Sequence, residues 1–283
     1  MCRWMGYRGN ARPIEMLLYR TKYSLIEQSR HARMGVETFN GDGFGLGFYS
    51  DVADTPGVYR SLMPAWNDEN LRSLAAHVVS PLFLAHVRAT TGTPVQNTNC
   101  HPFRYENWLF VHNGSIADFH ELRRELVMAV DPAFYNAMEG STDSETMFGL
   151  ALTFGLQQDP IGALERMAGF VEQTGRRHGV EHPLQMTLGV SDGERLYAVR
   201  YSSVGESRSL FMSAEPRTLR ALYPDHELVH VIGDEDRAVV SEPLGDLPGV
   251  WHEVPEATVL VLQDGPDAQR AFKPHSPVFA GAA

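Results

Sequence analysis

From Gly41 to Gly47 every second residue is glycine, and Asp42, Phe44, Leu46 and Phe48 take the positions between and after them. Successive side chains of a strand point to opposite faces, so residues 40–49 read as a strand with one apolar face and one bare face. A bare face admits another backbone or a ligand at close range. The rival reading is a phosphate-cradling loop. The stretch has neither the G-x-G-x-x-G spacing nor the Gly-Lys-Ser/Thr ending that such loops use.

Residues 2–7 read as a short strand ending at Gly9-Asn10. Pro13, with Ile14, Leu17 and Leu18 at helical spacing, opens a short helix. Residues 24–30 are mixed and carry no clear period. A helix is expected over 69–79, interrupted by Pro81, and then an apolar strand over 82–88 that ends on Arg88. A polar loop follows at 90–94. A second apolar strand spans 107–114, closed by an Asn113-Gly114 turn. Residues 118–129 form a helix with Leu122, Leu126 and Val127 inward. Thr142 and Glu145 make a capping box that opens the next helix, with Asp143 in its first turn. Another helix covers 161–176. After Pro183 the texture changes to short strands at 184–190, 195–201, 209–212, 238–241, 251–254 and 258–263. Strands, then helices, then strands predict an α+β fold: two antiparallel sheets with helices outside, in one domain over residues 2–264. Residues 265–283, rich in Pro, Gly and Ala, read as a loose tail.

The net charge of -11 argues against non-specific binding to nucleic acid or an anionic membrane, both of which want a basic surface. No apolar run approaches the ~20 residues of a membrane span. No secretory signal is visible at the start. The two cysteines, Cys2 and Cys100, make neither a disulfide framework nor a zinc motif, which suits a reducing cytoplasm.

Cys2 would become the N-terminus on removal of Met1. It would then carry an amine of pKa about 7.7–8.0 and a thiol of about 8.5 on one short tether, a base beside a nucleophile. A thiol attacking an amide needs donors for an oxyanion, and the Asn113 side chain with the Gly114 backbone N–H offers two. An α-amino acid substrate brings a carboxylate, for which Arg88 and Thr91 are suited, and an ammonium, for which Asp143 is suited. Each has a plainer reading: an idle terminus for Cys2, a turn for Asn113-Gly114, a surface or structural charge for Arg88, a helix cap for Asp143. Cys100-His101 is the rival nucleophile and base, but adjacent side chains on an extended chain point apart. His86, His101 and His112 have no metal-site spacing.

Cys2, Asn40-Gly41-Asp42-Gly43, His86-Val87-Arg88-Ala89-Thr90-Thr91, Asn99-Cys100-His101-Pro102-Phe103, Val111-His112-Asn113-Gly114 and Ser141-Thr142-Asp143-Ser144-Glu145 occur in that order. Together they resemble the class II glutamine amidotransferases, which are N-terminal nucleophile hydrolases. Met1-Cys2-Arg3, the glycine stretch and Val240-Ser241-Glu242-Pro243-Leu244 resemble its stand-alone branch: the YafJ type, the fungal glutathione-degrading subunit and the ergothioneine-pathway amidohydrolase. The resemblance implies a four-layer α/β/β/α sandwich and a glutamine or γ-glutamyl amide as substrate. It implies Cys2 as nucleophile with its amine as base, Asn113 and Gly114 as the oxyanion hole, Arg88 and Thr91 on the α-carboxylate, and Asp143 on the α-ammonium. His101 falls where the family lines its glutamine pocket. No cofactor and no metal is implied. A separate synthetase or peptidase subunit is a possible partner. Ala89 departs from the tryptophan of larger members, and no ammonia-consuming domain follows. The alternatives are an N-terminal cysteine hydrolase of apolar acyl amides and a non-catalytic partner subunit that keeps the fold.

Overall fold

The computed structural model describes residues 2–35, 38–90, 92–226 and 232–277. In chain order its strands are β1 (Arg3–Pro13), β2 (Phe44–Phe48), β3 (Gly57–Ser61), β4 (Val79–Val87), β5 (Phe103–Tyr105), β6 (Trp108–Ile116), β7 (Leu184–Ser191), β8 (Leu196–Ser202), β9 (Phe211–Ser213), β10 (Arg237–Val240), β11 (Trp251–Glu253), β12 (Thr258–Leu262) and β13 (Ala268–Ala271). The helices are α1 (Glu15–Leu18), α2 (Leu25–Arg30), α3 (Glu69–His77), α4 (Phe119–Met128), α5 (Pro132–Tyr135), α6 (Asp143–Thr153), α7 (Pro160–Arg177) and α8 (Pro216–Leu222).

One sheet runs β11-β9-β10-β1-β4-β2-β3 and the other β13-β12-β8-β7-β6-β5, with antiparallel pairs throughout the described ladders. Alternation sorts the side chains into layers. Trp4, Leu82, Leu84, Leu109, Val111, Leu196 and Ala198 pack between the sheets. Met5, Tyr7, Phe83, Ala85 and Val87, the opposite parity, pack under α1, α2 and α3. Phe110, Met186, Leu188 and Val190 pack under α4, α6 and α7. Each Val, Leu, Phe or Met among them, fully buried, contributes about 1.5–3 kcal/mol of transfer free energy. The α/β/β/α sandwich is therefore present, and the bare strand is part of it over Phe44–Phe48, while residues 40–43 form a bend before it. A Cβ at Gly45 would collide with the carbonyl of His101, and one at Gly47 with Leu109 and Pro102.

All six short strands expected after Pro183 form, and four local readings need correction. β1 does not stop at Gly9-Asn10. Asp236 accepts from Asn10 N at 2.9 Å and pairs with Arg12 Nε at 2.7 Å, so the strand continues through a register shift to Pro13, which ends it instead of opening a helix. Pro81 lies inside β4. It sits opposite that shift, where the ladder is interrupted and no donor is missed. Asn113-Gly114 is no turn: β6 runs through it to Ile116, paired with Thr187 and Met186 of β7. The stretch from residue 265 is not loose as far as 277. β13 pairs with β12, Phe272 is buried, and a Cβ at Gly169 of α7 would strike the His275 backbone. Residues 24–30 resolve as α2, capped by Ser24, whose Oγ accepts from Glu27 N at 3.2 Å.

Candidate active site

Arg3 pairs with Val87, so Cys2 and Arg88 are neighbours where the β1–β4 ladder ends. Cys2 shares the face of Trp4, and Arg88 that of Leu84 and His86, toward the second sheet. The Cys2 Sγ lies 3.6 Å from the Ala89 carbonyl oxygen. Burial pushes its thiol up; the Arg88 charge pulls it back and the Asp143 charge adds to the rise. At neutral pH the sulfur is therefore a thiol and needs a base to become a nucleophile.

Arg88 is buried, and only part of its guanidinium is committed. Nη2 donates to Thr93 Oγ1 at 2.7 Å and to the Pro94 carbonyl at 3.1 Å. Nη1 has no partner among the described residues. The glycine turn holds this end of β4: Asp42 N donates to the Arg88 carbonyl at 3.0 Å, and Thr90 N to Asp42 Oδ2 at 2.7 Å. Thr91 lies outside the described residues.

Asn113 projects from β6 on the face of Leu109 and Val111, toward the first sheet, and is buried. No described residue bonds its carboxamide. Odd residues of β6 form its ladder with β7, as the bond from Ala117 N to the Pro183 carbonyl at 2.7 Å continues. The backbone groups of His112, Gly114 and Ile116 therefore face the other edge, which β5 covers only as far as Phe110. His86 Nε2 donates to the His112 carbonyl at 3.2 Å, and Ile116 N donates to Asp143 Oδ2 at 2.9 Å. The Gly114 N–H lies between these two and faces the same way. A Cβ at Gly114 would run into the Gln185 carbonyl and the His112 ring, so glycine is required here by packing alone.

Thr142 caps α6, its Oγ1 accepting from Glu145 N at 3.1 Å. The reciprocal half of the capping box is absent. Glu145 instead accepts from Glu139 N at 2.8 Å and Gly140 N at 2.7 Å, tying down the preceding loop. Asp143 Oδ1 accepts from Ser144 N at 2.8 Å and Ser144 Oγ at 3.2 Å, and Oδ2 from Ile116 N, which leaves a lone pair on Oδ2 for a cation. His101 is buried between the His86 ring (4.2 Å between centroids) and the Phe103 ring (4.5 Å), and neither ring nitrogen has a partner among the described residues.

Sequence reasoning missed how much of the surroundings is buried and polar. Asn40, His86, Arg88, Thr90, His101 and His112 supply most of the buried side-chain polar atoms that lack a partner among the described residues. Buried polar atoms are normally bonded, so the unpartnered ones on Arg88, His86 and the stacked His101 are free to meet a polar ligand. Period two could have found His86, on the parity of Arg88; nothing local pointed to Asn40. A cavity of about 420 Å³ is lined by Arg60, Asn97, Phe103, Phe134 and Glu139, and none of the residues expected to act lines it. Opposite charges and an unused donor lie instead toward Cys2, on Arg88 and Asp143. Cys100 is fully buried and its thiol is pushed up by burial.

The three histidines give a pH signature. Burial pushes His86 down to about 3, His101 well below its ordinary value, and His112 down despite the Asp143 charge. All three are neutral in the folded chain, while the unfolded chain binds their protons near pH 6.5. Stability is unaffected by them above pH 6.5 and falls below it: His86 takes away about 1.4 kcal/mol per pH unit down to about 3, and His101 and His112 act in the same direction. The urea midpoint is expected to hold between pH 7 and 8 and to fall steeply between pH 6.5 and 5. The change should be shallower in His86→Gln; an identical slope in that variant would refute the assignment.

Two facing antiparallel sheets between helical layers define the N-terminal nucleophile hydrolase fold. The chain belongs to the class-II glutamine amidotransferases, whose family model matches residues 20–278, a span that includes Arg88, Asn113 and Asp143 but not Cys2. It is 30% identical to the probable glutamine amidotransferase DUG3 of Saccharomyces cerevisiae, over 93% of this chain and 82% of that one. It is 27% identical to the γ-glutamyl-hercynylcysteine sulfoxide hydrolase of Mycolicibacterium smegmatis, over 93% and 96%. A solved glutamine aminotransferase class-II domain protein from Silicibacter pomeroyi superposes with a TM-score of 0.74 at 33% identity, covering 97% of this chain and all of that one. These relatives place the chain among stand-alone members. No helix among the described residues is long and apolar enough to cross a membrane.

Proposed function

We propose that the protein hydrolyses the γ-amide bond of glutamine or of a γ-glutamyl compound, with Cys2 as nucleophile once Met1 is removed. The observation that carries this is a pair of opposite charges held at two strand ends: Arg88, with Nη1 unused, beside Cys2 where the β1–β4 ladder ends, and Asp143, fixed by Ile116 N two residues past Gly114. An α-amino acid head group needs that pair. Arg88, through the unused Nη1, and Thr91 take the α-carboxylate. Asp143 takes the α-ammonium, and His101 closes the pocket wall.

The Cys2 amine draws the thiol proton as sulfur bonds the carbonyl carbon of the γ-amide. The carbonyl π pair moves to oxygen, where the Asn113 side chain and the Gly114 N–H receive it. The C–N bond then breaks and the departing nitrogen takes the proton from the amine. Water, deprotonated by the same amine, cleaves the thioester and releases glutamate and the thiol. The names of the relatives support a γ-glutamyl substrate, and the family supports an enzyme acting on a small-molecule amide. A separate synthetase or peptidase subunit receiving the product, and a cytoplasmic setting, belong to this reading.

Incubation with a γ-glutamyl electrophile followed by peptide mass mapping tests it. One label on an N-terminal Cys2 is expected, together with glutamate release from at least one member of a γ-glutamyl panel. A label on Cys100, or none on Met1-free protein, would sink the proposal.

A further inference from the structure

The proposed nucleophile sits on a residue that, once trimmed, has no preceding residue to anchor it. What fixes its orientation is the Cys2 carbonyl, because rotation about the bond from the α-carbon to that carbonyl carries amine and thiol together. Arg3 Nη1 donates to this oxygen at 2.9 Å. Arg3 is itself buried at 3% exposure, and its Nε pairs with Glu242 Oε1 at 2.5 Å, with Glu242 2% exposed. The same carboxylate accepts from Arg33 N at 2.8 Å and Met34 N at 3.1 Å, and Arg3 Nη2 donates to the Met34 carbonyl. Gln28 Nε2 donates to the Glu242 carbonyl at 3.1 Å. One residue earlier, Ser241 N donates to the Trp4 carbonyl and Ser241 Oγ accepts from Trp4 N, both at 3.0 Å.

We infer that Glu242 and Arg3 are positioning residues: a buried clamp that sets the rotation of Cys2 and so aims its amine and thiol at the substrate carbonyl. The inference rests on the proposed function and adds residues to it that touch no substrate. A buried ion pair is weak evidence for stability, because desolvation offsets much of its attraction. This pair is also built around one particular backbone oxygen. The guanidinium spans carboxylate and carbonyl at once, which a lysine ammonium would not reproduce. Neither residue lines the face shared by Arg88 and Asn113, so the clamp acts on the nucleophile and not on the head-group site.

The test uses Glu242→Gln and Arg3→Lys in the full chain, with Cys2 titrated by a γ-glutamyl electrophile so that rates are expressed per reactive site. The expected result is a loss of about 100-fold in acylation rate and kcat per titrated site, with KM and inhibition by free glutamate within about threefold. A role confined to folding would lower the titrated fraction and leave the rate per site unchanged. A rate per site within about twofold of the parent would overturn the clamp, and Arg3→Lys decides alone if Glu242→Gln is recovered only as aggregate. Absence of any label on Cys2 in the parent overturns the functional reading instead, so the two failures are separable.

Discussion

Replacing Cys2 by alanine is expected to remove glutamate release altogether, by about 10⁴-fold or more, while the thermal unfolding midpoint stays within a few degrees of the parent. The loss should be complete because no second group stands ready. Cys100 is fully buried, its thiol is pushed up, and it sits against the Gly43 backbone where a Cβ would already collide with it. The fold should survive because Cys2 precedes β1, whose ladder and core contacts begin at Arg3 and Trp4. Steady-state glutamate release and a thermal melt on the same sample check both halves. Activity within tenfold of the parent would mean that the nucleophile lies elsewhere.

Asp143→Asn is expected to lower kcat/KM for a γ-glutamyl substrate by roughly 30- to 5,000-fold, the range set by leaving the substrate ammonium without its partner, about 2–5 kcal/mol. Asp143 also holds Ile116 N and Ser144 N, so a loss of activity alone would be ambiguous. A substrate that lacks the α-amino group resolves this. The parent should strongly prefer the γ-glutamyl amide over its glutaryl analogue, and the variant should show little preference because it slows only the former. Equal slowing of both would assign Asp143 to holding β6 against α6. Asp143→Ala should act in the same direction and also lower the melting temperature, since it removes the acceptor for both backbone donors.

What was legible in the sequence follows from how far apart the determining partners lie. The glycine strand declared itself because its period is local, and its bare face does receive the His101 backbone. The short strands after Pro183 were legible for the same reason. Asn113-Gly114 has the composition of a turn, yet the residues that decide its fate, Thr187 and Met186, come from another strand far along the chain. Pro81 argues against a strand interior until the register shift of β1 supplies the place where it costs no hydrogen bond. Phe272 was hidden in a stretch of tail-like composition. The residue types expected at the site were readable because each answers to a piece of substrate chemistry. Their support was not: Arg3 and Glu242 stand in stretches that carry the resemblance, but nothing local pairs them until the fold brings them within 2.5 Å.

The position of β1 carries a consequence for synthesis. It lies inside its sheet, with β4 on one side and β10 on the other, and Met5 is matched to Val240. At translation rates of about 5–20 residues per second, β10 leaves the ribosome on the order of ten to fifty seconds after β1. Through that interval the strand next to Cys2 lacks one of its two neighbours, and Arg3 lacks the glutamate that will enclose it. An aminopeptidase working on the nascent chain meets an open end. One arriving after release meets a start segment already clamped, so the Met1 removal that the proposed function requires would compete with folding in time, and overproduction that outruns the aminopeptidase should then leave a folded, untrimmed fraction.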